Sequence, residues 1–394
     1  MTHLKAAHPS PGAELTVEVI RTLAGVADLQ GDFAHLQAVT GNTLPFALFE
    51  WHLSWCRHFL DLDPSIVDEP MFHVVRDGAG TCVAIIPLIM TKRRLGSLTA
   101  ASVGLLGADP AITEIRSPLV QPGYEAPVAE ALNANLRNAR DWDWIQWIGA
   151  RDTFSEALGR VRGLAWQPVA PSYVLDLPPS WEEFHTGLKR NIRESLRHCY
   201  NSLKRDGHDF KLTMAADPAD VRAAVDRLFE LHAMRATLEG TIDHPNRFAS
   251  RTVRQFVYHV CEQLALRDAV RVFQIEIAGT VVASRIGFMV ADSLYLYYSG
   301  FDPRWKRYSV MTTTVAEAIR YAIARGLKTV NLSPGADVSK TRWGPREVHH
   351  QTAYEHSGRL RSRLVRHAYF KARSGQGLQG WLLQRLIAGR RSWN

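Results

Sequence analysis

The chain of 394 residues predicts an α/β (α+β) protein in tandem form, two copies of one unit, each a mixed central sheet flanked by helices. Three observations carry that expectation. The order strand–strand–strand–helix–strand occurs in the first half and recurs in the second. The length exceeds one ordinary domain. Hydrophobic residues make up 46% and charged residues 22%, which excludes a disordered chain and supplies enough apolar surface for two cores.

In the first copy, Phe72-His-Val-Val-Arg-Asp-Gly78 turns into Thr81-Cys-Val-Ala-Ile-Ile86, a hairpin around Asp-Gly. A strand over 115–120, a helix over 127–140 and a strand over 144–148 follow, closed by Gly149. In the second copy two apolar strands meet at Ala278-Gly279 and lead into the aromatic strand 293–298. A helix over 310–325 and a strand over 329–332 complete it, closed by Ser333-Pro-Gly335. Strict alternation along 293–298 puts Leu294, Leu296 and Tyr298 on one face, Tyr295 and Tyr297 on the other.

Between the copies, Ser180 caps a helix with Glu183 at its third position. That helix is expected to run unbroken to about Gly207. Phe184, Leu188, Ile192, Leu196, Tyr200 and Leu203 recur at helical spacing and predict a buried face. Lys189, Arg190, Arg193, Arg197, Lys204 and Arg205 make the same helix basic. Helices over 218–238 and 248–266 flank a loop over 239–245. The expected divisions are a disordered N-terminus (1–15), an N-terminal domain (16–177), a C-terminal domain (178–357) and a basic amphipathic tail (358–394).

Cys56, Cys82, Cys199 and Cys261 are scattered, with neither disulfide nor zinc spacing, which fits a reducing compartment and no metal. The first residues lack the apolar core of a signal peptide, and the most apolar run, 82–90, is too short to span a bilayer. A cytoplasmic protein is expected. The net charge of +8 is localised, because nine basic and no acidic residues follow Gly358. The body is therefore close to neutral, and no specific nucleic-acid partner is expected. Trp381-Leu-Leu-Gln-Arg-Leu-Ile387 in the tail suits a helix lying at a membrane surface, peripheral on the inner membrane; a C-terminal helix docked on its own domain is the preferred reading.

A strand, a basic loop and a helix N-terminus in succession form a recurrent pyrophosphate cradle, since unpaired N–H groups and the helix dipole converge there. The chain has that order at Phe301-Asp-Pro-Arg-Trp-Lys-Arg-Tyr308 and the helix opening at Ser309. The order resembles the acyl-CoA site of the GNAT (Gcn5-related) N-acyltransferases. Tyr298-Ser-Gly-Phe-Asp-Pro303, Gly335-Ala-Asp-Val-Ser-Lys340 and Arg342-Trp-Gly344 resemble more closely the cellulose-biosynthesis CelD-like acetyltransferases, relatives of the Fem-type peptidoglycan ligases. The resemblance spans roughly residues 45 to 350. It implies tandem GNAT-like domains, the C-terminal one catalytic and the N-terminal one degenerate. Where the family usually has a glycine-rich loop, this chain reads Ser309-Val310-Met311, and Ser339 stands where an aromatic is common.

Thioester aminolysis needs a proton acceptor for the amine, a donor to the developing oxyanion and a place for the leaving thiolate. It needs neither a covalent nucleophile nor a metal. The expected cosubstrate is acyl-CoA, or an acyl carrier protein, with no bound cofactor. Arg304, Lys306, Arg307, Ser309 and Thr312 are the candidates for its phosphates. Tyr298 is the candidate donor to the thiolate, His232 the base, and Asp337 an orienting group for the amine. Arg235, Asp243, His244, Lys340 and Trp343 are candidates for the acceptor side. The expected acceptor is a primary amine on an envelope polysaccharide sugar or on a long-chain sphingoid-type lipid. Two alternatives stand beside it: a Fem-type ligase using aminoacyl-tRNA, and a non-catalytic component of a polysaccharide-synthesis complex.

Overall fold

A computed structural model describes residues 14–60, 66–95, 98–107, 112–139, 141–150, 152–238 and 245–374. The chain divides into two compact units, one of residues 1–42, 46–169 and 350–394, the other of 43–45 and 170–349.

The first unit contains β1 (Thr16–Ile20), α1 (Leu23–Asp28), α2 (Gln30–Thr40), α3 (Phe49–Phe59), β2 (Ile66–Arg76), β3 (Cys82–Leu95) and β4 (Leu98–Leu105). These are followed by β5 (Leu119–Val120), α4 (Glu125–Asn138), β6 (Trp144–Ala150) and α5 (Thr153–Arg162). Its sheet runs β1-β2-β3-β4-β6, with β5 paired to β3. β4 and β6 are parallel and the strands from β1 to β4 antiparallel, so α4 is the crossover. Met71, Ile86, Leu88, Val128, Leu132, Leu136, Ile145 and Phe154 form its core. The turn after β2 is built by Asp77, whose carboxylate accepts from the Ala79 and Thr81 N–H groups. Only two residues of the expected strand 115–120 pair, because Pro118 has no N–H to give a ladder.

The second unit begins in β7 (Gln167–Asp176). It contains α6 (Trp181–Gly187), α7 (Arg190–Arg205), β8 (Phe210–Ala215), α8 (Pro218–Ala236), α9 (Arg251–Ala265), β9 (Val270–Ile277), β10 (Thr280–Val290) and β11 (Ser293–Phe301). Then come α10 (Val310–Ala324), β12 (Thr329–Pro334) and α11 (Val338–Thr341). Its sheet order is β8-β9-β10-β11-β12-β7, with β11 and β12 parallel. The order repeats the first unit strand for strand. The β9–β10 turn has Ala278 and Gly279 both at positive φ, 49° and 77°, as a two-residue hairpin requires.

One helix expected over 181–207 is two. Leu188 and Lys189 are extended (ψ 147° and 144°), and Gly187 ends α6 where a helix is weakest. The break keeps Leu188 buried, so Phe184, Leu188, Ile192 and Leu196 pack with Val315, Ile319, Leu294 and Leu296. Ser180 Oγ accepts from the Glu183 N–H at 3.1 Å, as the cap predicts.

The last strand, β13 (Arg346–His356), begins in the second unit, but His350–His356 pair antiparallel with β6 of the first. β7 likewise follows the first copy in sequence yet pairs with β12. Each sheet thus takes one strand from sequence outside its own repeat. α12 (Leu360–Ser374) then packs Val365 and Tyr369 on Ala100 and Trp144, and the Ser362 hydroxyl donates to the buried Asp143 carboxylate at 2.6 Å. The early tail is therefore a docked helix. The segment 381–387 and the expected N-terminal disorder up to residue 13 lie outside the described residues.

Candidate active site

β11 and β12 hold only three parallel pairs, Ser293 with Thr329, Leu294 with Val330 and Tyr295 with Asn331. β11 then continues to Phe301 and β12 to Pro334 without further mutual pairing, so a wedge opens between the two strand ends. The other side of β11 shifts register between Arg285 and Gly287: Arg285 faces Ser299 and Gly287 faces Leu296. Two residues, Tyr297 and Tyr298, therefore oppose Ile286 alone. This is a β-bulge, and it corrects the alternation expected from sequence. Leu294 and Leu296 face α10, while Tyr298 joins Tyr297, with ring centroids 4.6 Å apart.

On that face α8 crosses β11 at Gly300. A β-carbon there would lie 2.3 Å from the His232 nitrogen and 2.5 Å from the Leu231 carbonyl carbon. Only glycine admits the helix so closely. The contact sets His232 and Arg235 beside the bulge. His232 is buried, and its Nδ1–H donates to the Ser299 carbonyl at 2.9 Å, which leaves Nε2 as the acceptor. Nε2 receives a long bond, 3.4 Å, from the Arg247 N–H. The ring packs edge-on to Tyr298 (5.6 Å) and Phe248 (4.8 Å). Arg235 donates to Ser299 Oγ at 3.4 Å and lies 5.9 Å from the Phe301 ring centre. Burial pulls its guanidinium below the ordinary value, and the Asp337 charge opposes that shift. His232, Arg235, Tyr298 and Asp337 thus belong to one neighbourhood.

Beyond β12, Asp337 caps α11 by accepting from the Ser339 N–H at 2.7 Å. Lys340 turns its ammonium back onto the Pro334 carbonyl, closing the loop around Gly335. Trp343 is 3% exposed in the α10-side core and donates to the Ser339 carbonyl at 2.9 Å, so it carries the loop from beneath. Asp243 and His244 lie outside the described residues.

The basic loop is a 3-10 turn over Pro303–Tyr308. Arg304 grips Asp302, whose carboxylate is fully buried, through Nε at 3.0 Å and Nη2 at 2.6 Å. Its hydrogen bonds hold the Asp302 carboxyl below the usual range. Arg307 bonds the Tyr308 hydroxyl, which donates to Asp206 at 3.0 Å and meets His208 Nε2 at 2.9 Å. Two of the three expected phosphate-binding cations therefore brace the loop. Lys306 is exposed and makes no side-chain hydrogen bond or ion pair among the described residues. Ser309 sits at φ 52°, ψ 38°, a left-handed conformation that glycine adopts without cost. The glycine backbone shape survives without the glycine. Val310 turns into the core beside Leu203 and Tyr308, and Thr312 and Thr313 N–H groups bond the Ser309 carbonyl. The N–H groups of Val310 and Met311, first in the helix, have no intrahelical carbonyl to meet.

Sequence reasoning missed Ser299, whose carbonyl and hydroxyl organise the cluster, and Gly300, whose Ser-Gly context was the available signal. It also missed Ser333, like Ser309 a serine at positive φ (70°), whose N–H donates to Asn331 Oδ1 at the end of β12. No group of three potential metal ligands occurs among the described residues, and no described helix is long and apolar enough to cross a membrane.

Residues 190–341 match the acetyltransferase (GNAT) domain family. Among solved structures, FemX superposes with a TM-score of 0.56 at 11% identity, covering 85% of this chain and 96% of that one. A conserved protein of unknown function from Bacteroides thetaiotaomicron gives 0.50 at 14% identity, covering 86% and 99%. A tandem GNAT protein from the clavulanic acid pathway gives 0.49 at 12%, covering 87% and 99%. Among curated proteins none matches. At these identities the structural likenesses describe the fold alone, while the family match gives residues 190–341 similarity to the acetyltransferase (GNAT) domain.

Proposed function

We propose that the chain is an acyl-CoA-dependent N-acyltransferase that passes an acyl group from a thioester to a primary amine. The observation that carries this reading is the wedge between β11 and β12, where pairing stops after Tyr295 and Asn331 and strand-edge amides become available to a pantetheine arm. The left-handed Ser309 and the first turn of α10 support a pyrophosphate at its outer end. Lys306 is the cation left to meet the phosphates, while Arg304 and Arg307 hold the loop that presents them.

In this reading the amine nitrogen attacks the thioester carbonyl carbon, the carbon–sulfur bond breaks, and Tyr298 gives its phenolic proton to the departing thiolate. Arg235 and Asp337 orient the amine. Its proton passes to His232, whose Nδ1–H bond to Ser299 fixes the tautomer with Nε2 as the accepting atom. The acceptor is a sugar amine of an envelope polysaccharide or a long-chain amino alcohol.

The test is thermal stability with acetyl-, octanoyl- and palmitoyl-CoA and with free CoA, followed by thiol release in the presence of glucosamine or sphinganine. A length-dependent rise in melting temperature and amine-dependent thiol release are expected. No shift with any thioester overturns the donor assignment. The exposed cations Lys189, Arg190, Arg197 and Lys204 on and beside α7 favour one second reading, a ligase taking aminoacyl-tRNA. Stabilisation by aminoacyl-tRNA in place of acyl-CoA would select it.

A further inference from the structure

The docked helix α12 leaves an outer face that its own unit does not cover. Ser362, Val365 and Tyr369 point inward, whereas Leu360 is 78% and Leu364 72% exposed. Arg361 and Arg363, exposed as well, flank these leucines. The end of the β3–β4 hairpin adds a cation to the same surface. The Arg93 guanidinium stands 5.8 Å from the centre of the Tyr369 ring, and Arg361 donates to the Thr99 carbonyl at 3.1 Å with the buried Asp143 carboxylate 3.8 Å away. Two segments about 260 residues apart thus build one cationic surface with bare aliphatic side chains at its centre, and α12 itself carries no acidic residue.

We infer that this face docks on an anionic lipid bilayer. Cations draw such a helix to acidic headgroups, and leucines exposed on the same face enter the acyl boundary. A nucleic acid would engage the arginines, but it rewards stacked aromatic and hydrogen-bonding groups, and aliphatic side chains this exposed gain little from phosphates. The sequence continues beyond α12 with Trp381, Leu382 and Leu383. The inference does not rest on the acyltransferase reading.

The experiment is cosedimentation of the full chain with vesicles of phosphatidylcholine alone and of phosphatidylcholine with one-third phosphatidylglycerol, in parallel with binding to bulk tRNA. Wild type is expected to partition onto the anionic vesicles only, and less at high salt. Leu360→Ser with Leu364→Ser should weaken partitioning about tenfold or more. Arg363→Gln should weaken it about fivefold. All three side chains are exposed, and unchanged melting of both variants establishes that folding is intact. Equal binding to neutral vesicles, no binding to either, or partitioning unaffected in both variants overturns the inference. So does binding to tRNA that needs Arg363 and ignores the leucines, which would make this a nucleic-acid surface.

Discussion

The His232 backbone lies directly against Gly300, so closely that a β-carbon on the strand would stand 2.3 Å from the His232 nitrogen. Helix α8 and strand β11 meet without an intervening side chain, and the clash would be with backbone, which cannot swing away. Gly300→Ala should therefore cost about 1–3 kcal/mol or more by overpacking, read as a lower urea midpoint. Gly31→Ala in α2, where the added carbon meets nothing within 4 Å, should stay neutral or gain up to about 1 kcal/mol. Equal effects at both sites would refute the close contact.

Ser309 pays for its left-handed backbone and makes no side-chain cap. Ser309→Gly should gain up to about 1 kcal/mol, the relieved strain being offset in part by greater freedom of the unfolded chain. Ser309→Val should destabilise, since a branched β-carbon tolerates this conformation least. A glycine variant less stable than wild type would contradict the geometry.

His52 is buried among Phe33 and Phe72, with neither ring nitrogen hydrogen-bonded among the described residues, and burial pulls its pKa down to about 3. The unfolded ring titrates near 6.5. Between those values the unfolded chain binds the extra proton, so stability falls as pH falls. Lowering the pH from about 6.5 to about 4.5 should cost about 2–3 kcal/mol through this residue. His52→Phe should flatten that limb in urea titrations at pH 7 and pH 5; an unchanged slope would exclude His52 as its source.

Asp302 behaves oppositely. Its folded pKa is depressed by the Arg304 hydrogen bonds, so its contribution is full above the ordinary carboxylate range and disappears as pH falls through the lowered value. Asp302→Asn should lose about 1–3 kcal/mol at neutral pH, with the gap to wild type closing in acid. A gap constant down to pH 2 would rule out the ion pair as its cause.

Tyr298→Phe tests the proposed proton donor. Removing one positioned acid should lower kcat about 10²-fold with little change in KM, and the loss should shrink for thioesters whose thiols are more acidic. An unaltered kcat would leave Tyr298 as a packing residue.

The β9–β12 segment was legible because Ala278-Gly279 and the apolar runs are local signals. The bulge was not: the Leu-Tyr alternation of 294–297 breaks at Tyr298, but only the partner strand reveals that Tyr297 and Tyr298 both oppose Ile286. The stop between α6 and α7 was hidden because Leu188 keeps the helical spacing while leaving the helix. The basic loop was read correctly as a turn before a helix. The division of labour within it was not, since Asp302 and Asp206 claim their arginines through distances that no local pattern encodes. β13 carries His349, His350, Gln351 and Tyr354 in a weakly apolar run, and its partner β6 lies some 200 residues earlier.

The placement of β13 also sets a timetable. During synthesis β1 to β6 emerge long before His350–His356, so the first sheet waits with one edge bare until about 200 further residues have been made. Completion of the earlier unit therefore depends on a strand made only after the strands of the other.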